Sequence, residues 1–110
     1  MAENKTDLLR GTLDLLILKV LTLEPMHGLG ISRRLEQITG GVFQVQAGTL
    51  FPALHRLEQK GHIQGAWRDS ANNRKAKYYA LTPAGLKQLG EERQNWTQVA
   101  SAIEAVLGTL

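Results

Sequence analysis

Residues 49–83 read TLFPALHRLEQKGHIQGAWRDSANNRKAKYYALTP. The stretch opens as a helix over residues 49–60. Leu50, Leu54 and Leu57 form one apolar stripe, Thr49 suits an N-cap, and Pro52 falls in the first turn, where a missing N–H costs nothing. Gly61 stands where a left-handed C-terminal cap is expected. Two runs of β-favouring residues follow at 63–68 and 76–81, carrying Trp67, Tyr78 and Tyr79. Between them, Asp69-Ser70-Ala71-Asn72-Asn73 is turn chemistry. Adjacent tyrosines point to opposite faces of a strand, so one is expected in the core and the other at the surface. Thr82-Pro83 then joins an N-cap to a proline at the first helical position, a firm helix start.

Upstream, residues 6–23 are apolar nearly all round, as in a helix buried on several sides or shared between subunits, and Pro25 marks its end. A shorter helix is expected over residues 29–38, with Ile31, Leu35 and Ile38 on one face and Gly40-Gly41 ending it. Residues 42–46 alternate briefly, as a short strand or an extended connector would. Downstream, the helix from Pro83 toward Leu107 carries a seam at Leu86, Leu89, Arg93, Trp96, Ala100, Ile103, Leu107 and Leu110, alternating in steps of 3 and 4. Such a helix folds back on its own core or pairs with another chain, and pairing is the favoured expectation. The order helix, helix, helix, hairpin, helix is mainly α with a β-hairpin wing: a winged helix-turn-helix plus a C-terminal dimerisation helix. Residues 1–82 are expected to form the DNA-binding domain and 83–110 the dimerisation helix.

The chain has 110 residues, no cysteine and a formal charge of +3. This length fits one domain, and the absent cysteine excludes disulfides, a thiol nucleophile and thiolate-bound zinc. The apolar run at 13–23 is interrupted by Asp14, Lys19 and Thr22 and is shorter than the ~20 residues of a membrane span. No signal-peptide pattern occurs, so a soluble, cytoplasmic protein is expected. The charge is unevenly placed. Residues 54–82 carry six basic side chains against two acidic ones, whereas residues 1–53 are neutral and 83–110 are slightly negative. A basic stretch of this kind is the footprint of an anionic partner.

The start of the third helix offers unpaired N–H groups beside Gln46, Gly48 and Thr49, a ready phosphate site. Thr49, His55, Arg56 and Gln59 lie off the leucine stripe, Thr, His and Arg all suit base edges, and Thr49, Pro52, His55 and Arg56 are the expected major-groove residues. Asn73, Arg74, Lys75 and Lys77 on the hairpin suit phosphates or the minor groove. Leu16, Leu89, Trp96, Ala100, Ile103 and Leu107 are the expected dimer contacts. Trp96 serves there as an interface anchor; alternatively, two symmetry-related copies, with Arg93 nearby, line a cleft that stacks a small planar effector. His55 and Glu58 at i and i+3 have metal-binding spacing but no third ligand, so no metal or other cofactor is expected. No nucleophile signature or phosphate-cradling glycine loop occurs, which argues against an enzyme.

Several motifs together resemble the PadR family of transcriptional regulators. They are residues 9–18 (LRGTLDLLIL), Met26-His27-Gly28, residues 48–58 (GTLFPALHRLE) and residues 77–85 (KYYALTPAG). The short C-terminal part is similar to the smaller subfamily with a single dimerisation helix. The resemblance implies a homodimeric winged-helix repressor that places its two third helices on a palindromic promoter site and responds, in some members, to a small molecule. Two departures stand out: Phe51 replaces a usual Tyr, removing one hydroxyl contact to phosphate, and Leu29 replaces an often bulkier aromatic residue. A protein-interaction module built on the terminal helix, with incidental DNA affinity, is the alternative reading.

Overall fold

The computed structural model describes residues 2–69 and 74–109, with side chains from residue 11 onward. Its elements are α1 (Ala2–Val20), β1 (Met26–His27), α2 (Gly28–Ile38), α3 (Ala47–Gln59), β2 (Ile63–Asp69), β3 (Lys75–Leu81) and α4 (Pro83–Leu107). One antiparallel sheet has the order β1-β3-β2, so β3 is its centre. The register places Met26 opposite Tyr79 on one side, and Gly65 opposite Tyr79 and Trp67 opposite Lys77 on the other. β1 is the element the sequence pattern does not reveal, because two residues carry no period.

The core is where three helices and the sheet turn their apolar faces together. Ile17 and Leu18 of α1, Ile31 and Leu35 of α2, Leu50, Ala53, Leu54 and Leu57 of α3, and Ile63 and Tyr79 of the sheet are all buried. Tyr79 is the inward tyrosine of the adjacent pair, while Tyr78 is half-buried on the other face. Leu89 of α4 joins the same core, so the start of that helix is anchored by it.

Helix ends follow local chemistry. His27 caps α2 by accepting the Gly30 N–H on Nδ1 at 3.0 Å. At the other end Gly40 and Gly41 take positive φ, and the Gly41 N–H donates to the Glu36 carbonyl at 2.8 Å, the six-to-one closure of a glycine-terminated helix. Residues 42–46 form the extended connector and join no strand. The Phe43 N–H donates to the Thr39 hydroxyl, and the Ser32 hydroxyl donates to the Val45 carbonyl. Helix α3 starts two residues earlier than the sequence pattern suggests, with Gln46 rather than Thr49 at the cap position. Pro52 therefore lies inside the helix, where its ring faces the exposed Gly48 one turn back and the unmatched carbonyl is open to water. Thr82 caps α4, accepting the Gly85 N–H at 3.0 Å while its hydroxyl donates to the Gly61 carbonyl at 2.6 Å.

Beyond Leu89 the last helix leaves the core. Trp96, Val99, Ile103, Val106 and Leu107 are all exposed, with Leu107 at 71%. The molecule is correspondingly elongated, 58 × 28 × 26 Å. Among the described residues no helix is long and apolar enough to cross a membrane.

Candidate nucleic-acid interface

The leucine stripe of α3 decides which of its residues remain outside. With Leu50, Ala53, Leu54 and Leu57 buried, the exposed set from the cap onward is Gln46, Ala47, Gly48, Thr49, Phe51, Pro52, His55 and Gln59. Arg74 and Lys75 are exposed at the start of β3. Between the two groups runs a groove of about 680 Å³ lined by Leu29, Phe51, Trp67, Arg74, Lys75 and Lys77. Asn73, the remaining hairpin residue singled out from the sequence, lies outside the described residues.

Two residues expected to face outward are engaged inside the subunit instead. The Arg56 guanidinium turns back to α1, where Nη2 donates to Asp14 Oδ1 at 3.0 Å, with only 28% of the Arg56 side chain exposed. Its Nε is buried without a hydrogen-bond partner. Burial pushes the Asp14 carboxyl above its usual range, and the adjacent Arg56 charge pulls it only part of the way back. Lys77 is likewise held: its Nζ donates to Glu58 Oε1 at 2.9 Å. That hydrogen bond holds the Glu58 carboxyl below its ordinary value and the Lys77 ammonium above its own. Both partners are distant in sequence, so no periodicity or local spacing points to them.

Several residues that shape this face carry a clearer signal once the fold is known. A methyl group on Gly28 would come within 2.8 Å of the Phe51 ring, so glycine there lets α2 and α3 close on each other. Arg68 stacks its guanidinium 4.9 Å from the Tyr78 ring centre, and His27 meets the same ring edge-on at 5.2 Å. Trp67, 67% exposed, stands on the sheet face that carries Tyr79.

On α4, Trp96 lines a shallow concavity against Gly11, Thr12 and Leu15 of α1, with Glu92, Asn95 and Val99. Arg93, the preceding residue of the seam, lines a separate shallow concavity with Gly90, Gln94, Thr97 and Gln98. Of the expected dimer contacts, Trp96, Ile103 and Leu107 are exposed and Leu16 and Ala100 half-buried, whereas Leu89 is buried in the chain's core. No cluster of three or more metal-ligating side chains occurs among the described residues.

The family model for the PadR-like transcriptional regulators matches residues 17–91, from the core of α1 to the anchored start of α4. The chain belongs to this family. A transcriptional regulator of Mycobacterium tuberculosis is 32% identical over 78 residues, covering 71% of this chain and 69% of its own. Among solved structures, a transcriptional regulator from Clostridium thermocellum superposes with a TM-score of 0.83 at 27% identity, covering 90% of this chain and 96% of that one. A PadR-like regulator from Bacillus cereus gives a TM-score of 0.77 at 30% identity, covering 94% and 99%. The PadR-like chain is a transcriptional regulator and not an enzyme.

Proposed function

We propose that this PadR-like regulator binds duplex DNA as a homodimer and represses transcription from a palindromic promoter site in the cytoplasm. The observation that carries the reading is the common exposure of Thr49, Pro52 and His55 on α3 with Arg74 and Lys75 on the adjoining hairpin. Helix α3 enters the major groove, with Gln46 and Gly48 at its N-terminus directed to phosphate, and the hairpin tracks the neighbouring backbone. Arg56 does not read bases in this arrangement, because Asp14 holds it. Residues 1–82 supply the DNA contacts, and residues 83–110 supply the pairing surface.

The exposed half of α4 supports the dimer. Trp96, Ile103 and Leu107 would otherwise leave an apolar stripe in water, and a second copy covers it with the same stripe. A two-fold then sets the two α3 helices about 34 Å apart, one turn of the duplex. In the paired state two Trp96 side chains border the same opening, where a small planar effector could stack.

Fluorescence anisotropy with the chain's own upstream DNA tests the reading. Affinity should fall steeply with salt, with several units of slope in a log–log plot. No binding to any duplex at low salt refutes it and favours α4 as a docking helix for another protein. Sedimentation tests the dimer, and quenching of a Trp67→Phe variant by planar ligands tests the effector cleft.

A further inference from the structure

We propose that Glu58 is a positioning residue: it fixes the hairpin against α3 and withholds Lys77 from the DNA, so that it governs discrimination between sites more than affinity. The inference rests on the DNA-binding reading above. One carboxylate reaches both strands of the hairpin. Oε1 accepts from Lys77 Nζ of β3 at 2.9 Å, and Oε2 accepts from the Gly65 N–H of β2 at 3.1 Å. β2 is an edge strand of the sheet, and through Gly65 Glu58 ties it to the helix behind it.

A Cβ at position 65 would overlap the Lys77 side chain and reach 3.0 Å from Glu58 Oε2, so glycine there leaves the lysine stem its present path across the strand. Lys77 Nζ also lies 5.5 Å from the Tyr79 ring centre, and Tyr79 is buried in the core. The ammonium is thus held on the α3 side of the sheet by a carboxylate and an aromatic face. Arg74 and Lys75 stay free to meet phosphate. A hairpin fixed at its middle can meet the backbone only where α3 is in register with its bases, and this couples groove reading to backbone contact.

The test compares wild type with Glu58→Ala, Glu58→Gln and Lys77→Met by salt-dependent anisotropy on operator and random duplexes, with Gly65 amide exchange measured in the free protein. Lys77→Met should leave the salt slope unchanged, because Lys77 releases no counterion. Glu58→Ala frees the lysine, so the slope should steepen by about 0.9 per subunit. Its preference for the operator should fall severalfold, and Gly65 exchange should accelerate. Glu58→Gln, whose amide oxygen still accepts from Gly65, should keep the slow exchange and most of the preference. Removing a carboxylate elsewhere, as in Glu104→Gln, should leave the slope at its wild-type value. A slope lowered by about 0.9 in Lys77→Met places that lysine on phosphate and overturns the proposal. So does wild-type discrimination in Glu58→Ala. If the wild type binds no DNA, the positional role falls with that reading, and Gly65 exchange still decides whether Glu58 holds the hairpin.

Discussion

Gly85 sits in the first turn of α4, pressed against the turn between α3 and β2. A methyl group there would overlap the carbonyl oxygen of His62 and come within 2.9 Å of its carbonyl carbon and 2.8 Å of Leu81 Cδ1. His62 cannot step aside as a side chain would. Its carbonyl accepts the Thr82 N–H at 3.2 Å, and the Gly61 carbonyl beside it accepts the Thr82 hydroxyl. Gly85→Ala therefore forces the start of α4 off the core, lifting Leu89 with it. In an open helix the same change would stabilise by about 0.8–1 kcal/mol. Overpacking against backbone costs about 1–3 kcal/mol, and the rigid neighbour places this site at the upper end, a net loss of about 2 kcal/mol. At about 4–8 °C per kcal/mol, the variant should melt roughly 10 °C below wild type. Gly90→Ala, one and a half turns on, meets nothing within 4 Å and should gain up to about 1 kcal/mol. Thermal and urea denaturation followed by circular dichroism, at one fixed concentration because the proposed pairing would shift the midpoint, measure both. A Gly85→Ala protein as stable as wild type, or a Gly90→Ala protein that loses as much, refutes the reasoning.

Leu54→Ala removes a fully buried side chain at the centre of α3 and should cost about 2–5 kcal/mol in urea unfolding. Thr82→Ala deletes the cap on α4 and the bond to Gly61; a loss of about 0.5–2 kcal/mol is expected, with Thr82→Ser retaining most of the stability. Asp14→Ala leaves the partly buried Arg56 guanidinium without its acceptor, and about 1–3 kcal/mol should be lost by the same assay. Glu58 titrates below its ordinary value of 4.5 in the folded state. Its contribution is therefore present above pH 4.5 and lost as the pH falls through the depressed value. The Tm difference between wild type and Glu58→Gln should be largest near neutrality and vanish in acid; a difference independent of pH would refute the charge-based tie.

The sequence is most legible where local chemistry decides. The leucine stripe of α3, the glycine at 61 and the Thr82-Pro83 start each act within a few positions, and the corresponding features stand where these signals put them, while the turn expected at residues 70–73 lies outside the described residues. Helix α3 began early because Gln46 accepts the N–H groups of both Thr49 and Leu50 on its own carbonyl, so no capping side chain was needed to mark the end. Site residues were legible only as far as direction along one helix. Off-stripe position correctly left Thr49 and His55 outside, but Arg56 and Lys77 found carboxylates on other elements, 42 and 19 positions away. Such pairings arise from the packing of elements, which a single sequence does not encode as a period. The heptad seam of α4 likewise hides a division of labour, since Leu89 serves the subunit's core while Ile103 and Leu107 face water.

The two-residue strand β1 gives the hairpin a graded stiffness. β3 is flanked on both sides only at Tyr78 and Tyr79; from Lys77 outward it has β2 alone. A two-stranded ribbon by itself is marginally stable and twists readily, whereas its base here opens only if the core opens. Amide exchange should accordingly quicken from Tyr79 toward Lys75 along a single strand. On the proposed DNA-binding reading, the outer ribbon would adjust to the neighbouring backbone as the groove narrows or widens with base composition, while the base keeps its angle to α3. On that reading, the length of β1 would set how much DNA shape the protein accommodates.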